Sequence, residues 1–385
     1  MHQFYEFFAG GGMARAGLGS GWTCAFANDF DPTKVAAYRA NWGAGDLVCA
    51  DVAMLTPDDL PGRADLAWAS FPCQDLSLAG GNRGLGVAGA PTRSGTFWSF
   101  WSLIQALAAQ GRGPRVVVLE NVVGALTSGG GADFTAIATV LAKGGYRFGA
   151  LVIDAKLFVP QSRPRLFILA VAGGLALPPD LTSPDVPPVW VPPQLAAAYN
   201  RLSPKVRAAA LWWNIPAATE SPTALADLIE TRDLAWHDPS VTQHLLDLMT
   251  PLHRAKIAAV QVTGRRVVGT VYRRTRADGH GGKAQRAEVR FDGLAGCLRT
   301  PSGGSSRQTL MVVEGPVVRT RLLTAREAAR LMGLPDDYIL PTRYNDAYHL
   351  AGDGVVVPVV AHLARYLIEP ILDFDDAGRA ARAAA

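Results

Sequence analysis

Cys73 stands between Pro72 and Gln74 and follows Asp65 to Ser70, an apolar run that reads as a buried strand. A thiol at the carboxyl end of such a strand, entering a loop rich in Gly and Ser, is placed to act as a nucleophile. Two further clusters could serve it. Glu120-Asn121-Val122 ends the strongest apolar run, Arg115 to Leu119. A carboxylate at the top of a buried strand is costly unless it is paired or does chemistry. Gln161-Ser162-Arg163-Pro164-Arg165 brings two guanidiniums ahead of another strand. Arginine fixes a carboxylate, a phosphate or a carbonyl with bidentate geometry.

A second constellation lies nearer the N-terminus. Phe8-Ala9-Gly10-Gly11-Gly12-Met13 joins a first strand to a first helix, where glycines let backbone amides approach a ligand. Asp29, followed by Phe30, ends the second strand at about the spacing from which an acid grips ribose hydroxyls. Asp51-Val52 ends the third strand-like segment and suits an adenine amino group. These residues alone imply a nucleoside cofactor and leave NAD and S-adenosylmethionine both open.

The elements that must position these groups alternate up to Ala172. Gln3 to Phe8, Thr23 to Ala27, Leu47 to Cys49, Asp65 to Ser70, Arg115 to Leu119, Leu151 to Ile153 and Leu166 to Val171 read as strands. Helices open near Met13 and at Asp31-Pro32, where Asp caps free amides and Pro fits the first turn. Others cover Phe97–Ala109 and Phe134–Ala142. This alternation predicts an α/β, doubly wound sheet. Leu177 to Pro193 is crowded with prolines and reads as a linker or domain boundary. Thr324 and Glu327 form a capping-box pattern, and an amphipathic helix is expected over Val355–Ile368, with a frayed tail from Asp376.

Composition sets the outer limits. A chain of 385 residues with 49% hydrophobic content can bury a large core. It shows no apolar run long enough to suggest a membrane span and no basic leader at Met1-His2-Gln3, so a cytoplasmic location is expected. Cys24, Cys49, Cys73 and Cys297 have no paired spacing, which argues against zinc or disulfides; Cys24 and Cys49 read as packing residues. Net charge is +4, and the basic side chains cluster. Arg265, Arg266, Arg273, Arg274, Arg276, Lys283, Arg286 and Arg290 face only Asp278 and Glu288 in that stretch, an excess that suits phosphate contact.

Taken in order, Phe8–Met13, Phe71-Pro72-Cys73-Gln74, Glu120-Asn121-Val122 and Gln161–Arg165 resemble the ordered motifs of bacterial DNA (cytosine-5) methyltransferases. Arg93-Ser94-Gly95-Thr96-Phe97, Arg321 to Glu327 with Met332 to Tyr338, and Gly352-Asp353-Gly354-Val355 resemble three more. Two departures stand out. The first turn is one residue shorter than the family's Phe-x-Gly-x-Gly-Gly, and Asp353 replaces an Asn whose amide an acid cannot imitate as a donor.

The resemblance implies a catalytic domain over 1–175, a target-recognition insert over 176–318, a hinge over 319–344 and a return to the first domain over 345–385. It implies S-adenosylmethionine held by Phe8 to Met13, Asp29, Phe30, Asp51, Val52, Pro72, Asp353 and Val355. Cys73 would attack C6 of a cytosine taken out of duplex DNA, with Glu120, Arg165 and Arg163 holding the ring. Gln74, Ser77, Asn121, Gln161, Arg265, Arg266, Arg273, Arg274, Arg276 and Arg307 would meet the DNA. Gly80, Gly81, Gly84, Gly86 and Gly89 would let the loop after Cys73 close. The expected partner is double-stranded DNA, met by a monomer near the nucleoid, with a cognate restriction endonuclease acting separately. A tRNA cytosine methyltransferase shares these motifs. A silent DNA-binding homologue should have lost Cys73 or Glu120, and an NAD-dependent oxidoreductase gives neither a role.

Overall fold

In the computed structural model the described residues are 1–72, 95–187, 189–218, 223–232, 234–277, 282–299 and 307–384. Cys73, Gln74, Ser77, the loop glycines and Arg93-Ser94 lie outside them. The chain divides into two units. The first comprises Met1–Asp154, Pro164–Ala218 and Gly354–Ala385; the second comprises Ala155–Arg163 and Thr219–Asp353. The boundaries differ from those expected. Residues 176–218 belong to the first unit and the hinge motif belongs to the second.

The first unit is built on strands β1 (His2–Phe7), β2 (Trp22–Asp29), β3 (Leu47–Cys49), β4 (Leu66–Ala69), β5 (Val116–Val122), β6 (Tyr146–Asp154) and β7 (Pro164–Ala172). They form one sheet in the order β3-β2-β1-β4-β5-β7-β6. The first five pair with one another in parallel, and β7 runs antiparallel to both β5 and β6. Strands buried on both faces need near-continuous apolar sequence, which is why Leu66–Ala69 and Val116–Leu119 were legible. Helices α1 (Met13–Leu18), α2 (Pro32–Trp42), α3 (Thr96–Ala109), α4 (Ala132–Lys143), α5 (Pro193–Asn200) and α6 (Pro204–Arg207) accompany the sheet. As expected, Asp31 caps α2 by accepting from the amides of Thr33 and Lys34.

Strand order reverses between β1 and β4, where ligands bind in open α/β sheets, outside the carboxyl ends of the strands. Phe7, Ala69 and Leu119 stand in register across β1, β4 and β5, so Phe8, Ser70 and Glu120 emerge side by side. Aromatic packing fixes this edge. Phe71 lies 5.3 Å from Phe97 of α3 and Phe7 lies 5.0 Å from Phe100, all four nearly inaccessible.

The proline-rich stretch is no linker. Trp190 is buried, and its carbonyl accepts from the Val152 amide on β6. A short pairing of β8 (Thr182–Ser183) with β9 (Trp212–Trp213) follows the same wall. The tail is not frayed either: the last helix of the first unit (Glu369–Ala384) carries Asp376, whose carboxylate takes Arg115, as does Asp65. Cys49 is exposed rather than packed.

In the second unit α7 (Leu225–Leu228), α8 (Pro239–Asp247) and α9 (Pro251–Val262) precede β10 (Arg266–Ala277), β11 (Lys283–Arg290), β12 (Thr309–Glu314) and β13 (Val317–Leu322). The sheet is antiparallel in the order β11-β10-β12-β13. Its Val271, Val289, Met311 and Val313 face pack with Met249 and Ile257. The hinge motif forms α10 (Ala325–Arg330) behind the Thr324–Glu327 capping box. Glu327, itself deeply buried, also holds buried Arg321 and accepts from the Glu230 amide. Helix α11 (Tyr344–Asp353) ends the unit, and α12 (Val357–Leu363) and α13 (Glu369–Ala384) return to the first. Gly17 lets α12 approach α1, since a Cβ there would fall 2.4 Å from Cβ of Val360. The run Tyr344–Ala384 is apolar enough by composition to cross a membrane, but 61% of its apolar window is buried inside the protein.

Candidate active site

The glycine turn is held from three directions. Phe8 adopts φ 56°, a left-handed conformation that a bulky residue takes only where its surroundings impose it. The Gly10 amide donates to Asp29 Oδ2 (2.8 Å) and the Asp31 amide to Asp29 Oδ1 (2.9 Å). Asn28 donates to the carbonyls of Val48 and Ala50, tying β2 to the segment that leads into Asp51. Asp51 in turn accepts from the Ala53 amide, while Val52 is buried and Phe30 is 67% exposed.

A buttress behind the turn had no signal in the sequence. Trp42 Nε1 on α2 donates to the Gly11 carbonyl at 2.9 Å, and Arg15 stacks over the Trp42 ring. Gly12 has φ 77°, and a Cβ there would fall 2.3 Å from Trp42 Nε1. Only glycine fits.

Glu6, one residue before the turn's base, is 1% exposed; one oxygen accepts weakly from the Arg15 amide and the other has no partner. Burial pushes its carboxyl up to about 8, only partly offset by Arg15. The folded protein therefore keeps a proton that the unfolded chain loses above the ordinary carboxylate range. Stability contributed by this site is full at low pH and falls as pH rises from about 4.5 toward 8, by an amount on the order of 5 kcal/mol. Glu6→Gln is expected to flatten that slope, so the melting-temperature gap between pH 5 and pH 8 narrows. An unchanged gap would remove Glu6 as its source.

At the far side of the switch point, Glu120 Oε1 lies 3.2 Å from Arg165 Nε, with side chains 7% and 15% exposed. Glu120 pairs in register with Phe167, so Arg165, two residues away on β7, is its diagonal same-face neighbour. The antiparallel course of β7 is what brings Arg165 to the carboxyl edge of β5. Asn121 Nδ2 donates to the Phe71 carbonyl at 3.1 Å and its Oδ1 accepts from the Val122 amide. Those bonds fix the strand end that leads through half-buried Pro72 into Cys73.

Several expectations change here. Asn121, expected to meet DNA, is instead buried and bonded to Phe71 and Val122. Gln161 is wholly buried; it donates to the Leu331 carbonyl and accepts from the Leu298 amide within the second unit. Arg163 is 2% exposed, its guanidinium taken by the carbonyls of Leu298 and Gly352. The unit boundary falls just after it, and Arg165 alone of the two meets Glu120. Arg307 lies over the Tyr344 ring and bonds to Asn345. Arg274 and Arg276 pair with Glu288, whereas Arg265, Arg266 and Arg273 are exposed and make no ion pair among the described residues. Asp353 ends α11 in the second unit, and buried Val355 lies in the first.

The family model for C-5 cytosine-specific DNA methylases matches residues 2–369. The chain belongs to that family. Among relatives of this DNA methylase, the type II methyltransferase M.NlaX of Neisseria lactamica is 25% identical over 371 residues, covering 95% of this chain and 96% of its own. M.HhaI of Haemophilus parahaemolyticus is 26% identical over 376 residues, covering 97% and 95%. The solved methyltransferase EhMeth of Entamoeba histolytica aligns with TM-score 0.62 at 16% identity, covering 96% and 98%, a likeness of fold. The methylase is thus a DNA cytosine methyltransferase that uses S-adenosylmethionine. Its α/β sheet is the Rossmann-like sheet of that enzyme class.

Proposed function

We propose that this enzyme methylates C5 of a cytosine within a specific duplex DNA sequence, through a covalent bond between Cys73 and C6. The observation that carries the reading is the shared edge of the sheet. The strained Phe8 turn, Asp29, the strand end leading to Cys73 and the Glu120–Arg165 pair all emerge there. The turn fits S-adenosylmethionine: its glycines leave the approach open above Gly10, Asp29 faces the turn, and exposed Phe30 offers a ring for adenine. Gly10 to Met13 would hold the methionine end, Asp29 the ribose and Asp51-Val52 the adenine. When bound, the cofactor supplies an electrophilic methyl group.

The protein's own residues do the rest. The target base must leave the stack, because C5 and C6 are not approachable within it. The Cys73 thiolate adds to C6, and Glu120 stabilises the protonated N3 that this addition generates. Arg165 holds both Glu120 and the ring's O2. After C5 has taken the methyl group, a base removes the C5 proton and the Cys73–C6 bond breaks. The reading places the enzyme in the cytoplasm as a monomer whose restriction partner, where one exists, acts separately.

Labelled methyl transfer from S-adenosylmethionine to duplex DNA and to tRNA tests the substrate, alongside 5-methylcytosine mapping in a methylation-free host. The expected result is methylation at one recurring duplex sequence. Transfer to tRNA with none to duplex DNA overturns it.

A further inference from the structure

The basic stretch Arg265–Arg290 is less uniform folded than it is as a sequence. Side chains alternate along β10, so Arg266, Val268, Tyr272, Arg274 and Arg276 share one face of the second unit's sheet. At the β11 end of that face the positive charge is offset in part, although Arg286 stands opposite Arg274. Arg274 and Arg276 pair with Glu288, and Arg290 pairs with Asp292. At the other end it is not. Val268 pairs with Val312 and Val312 with Arg319, which brings Arg319 of β13 onto the same face as Arg266. Neither guanidinium has an ion-pair partner among the described residues, although Glu314 stands opposite Arg266 in register.

Both line a cavity of about 280 Å³ with Thr231, Leu234, Trp236 and Val312. The Arg319 guanidinium lies over the Trp236 ring at 4.4 Å. Such stacking fixes the plane of the group while leaving its N–H edge able to grip an oxyanion. Two guanidiniums without an ion pair among the described residues, one of them held in place, with Thr231 in the same lining, suit a tetrahedral phosphate.

We propose that this cavity is a backbone-phosphate site, in which Arg266 and Arg319 grip one phosphodiester of the bound duplex and Trp236 orients Arg319. The proposal rests on the duplex-DNA reading above and assigns Trp236 and Arg319 roles that their sequence positions did not suggest. A phosphate grip sets affinity and register without reading bases. Its loss should therefore act equally on all sequences and lower the salt dependence of binding.

The test is duplex binding by the full-length enzyme across a series of KCl concentrations. Each phosphate neutralised contributes about 0.9 to the slope of log K against log salt. Arg266→Ala with Arg319→Ala is expected to reduce the slope by about one and to weaken specific and non-specific duplexes alike. Arg319→Lys, which keeps the charge, should retain most of the slope. Both arginines are solvent-exposed, so truncation spares the core. An unchanged slope in the double variant, with wild-type methylation of duplex intact, overturns the proposal and leaves the reading of function standing. Saturable inorganic phosphate binding at constant ionic strength, lost in the double variant while its salt slope stays unchanged, assigns the cavity to a free anion and also overturns it. A wild-type enzyme that binds no duplex at all removes the underlying reading itself.

Discussion

Cys73→Ser is expected to lower methyl transfer to duplex DNA by about 10⁴-fold or more, with cofactor binding and DNA retention preserved. A thiol near its ordinary pKa supplies thiolate at neutral pH, whereas a serine hydroxyl is a weak nucleophile unless a base activates it. The exchange is nearly isosteric. The strand end ahead of it is also held independently, by Phe71 against Phe97 and by the Asn121 amide on the Phe71 carbonyl. A loss of this size would therefore be chemical. A duplex carrying 5-fluorocytosine sharpens the result, because fluorine at C5 cannot leave as a proton and the Cys73–C6 bond cannot be released. Wild-type enzyme should form a denaturation-resistant complex and the Ser variant none. A Ser variant methylating within about tenfold of wild type would defeat the assignment.

Glu120→Gln should lower kcat by roughly 10²–10⁴-fold, the range of a positioned acid–base group. The competing account makes Glu120 a structural partner of Arg165, whose charge it balances at 3.2 Å. Stranding one member of a largely buried pair destabilises the fold, so a lower melting temperature is expected under either account. The rate separates them. The structural account predicts a melting-temperature loss with kcat nearly intact; the proposed role predicts a large kcat loss with little change in DNA affinity. Arg165→Lys keeps the charge but loses the planar fork, and is expected to fall between wild type and Glu120→Gln.

Much of the first unit could be read in advance because its signals are local. Val116–Leu119 is apolar without interruption because β5 is covered on both faces, and Asp31-Pro32 marks a helix start by chemistry confined to one turn. Thr324 and Glu327 are three residues apart, so their capping box was equally legible. The proline-rich stretch misled for the opposite reason. Proline breaks regular structure, but Trp190 within it is buried against β6, and that contact depends on residues far back in the chain.

The sequence by itself determined the chemistry: a thiol after a buried strand, a carboxylate at the end of another, glycines at a helix start, in an order that one family shares. Side-chain type and short spacing suffice for those. Only tertiary structure decided between Arg163 and Arg165, two residues apart, because one is taken up by carbonyls of Leu298 and Gly352 while antiparallel β7 delivers the other to Glu120. It likewise decided which arginines meet a carboxylate, setting Arg274 and Arg276 against one Glu288 while bringing Arg319 beside Arg266. Strand pairing between distant segments sets both outcomes, and no local pattern records it.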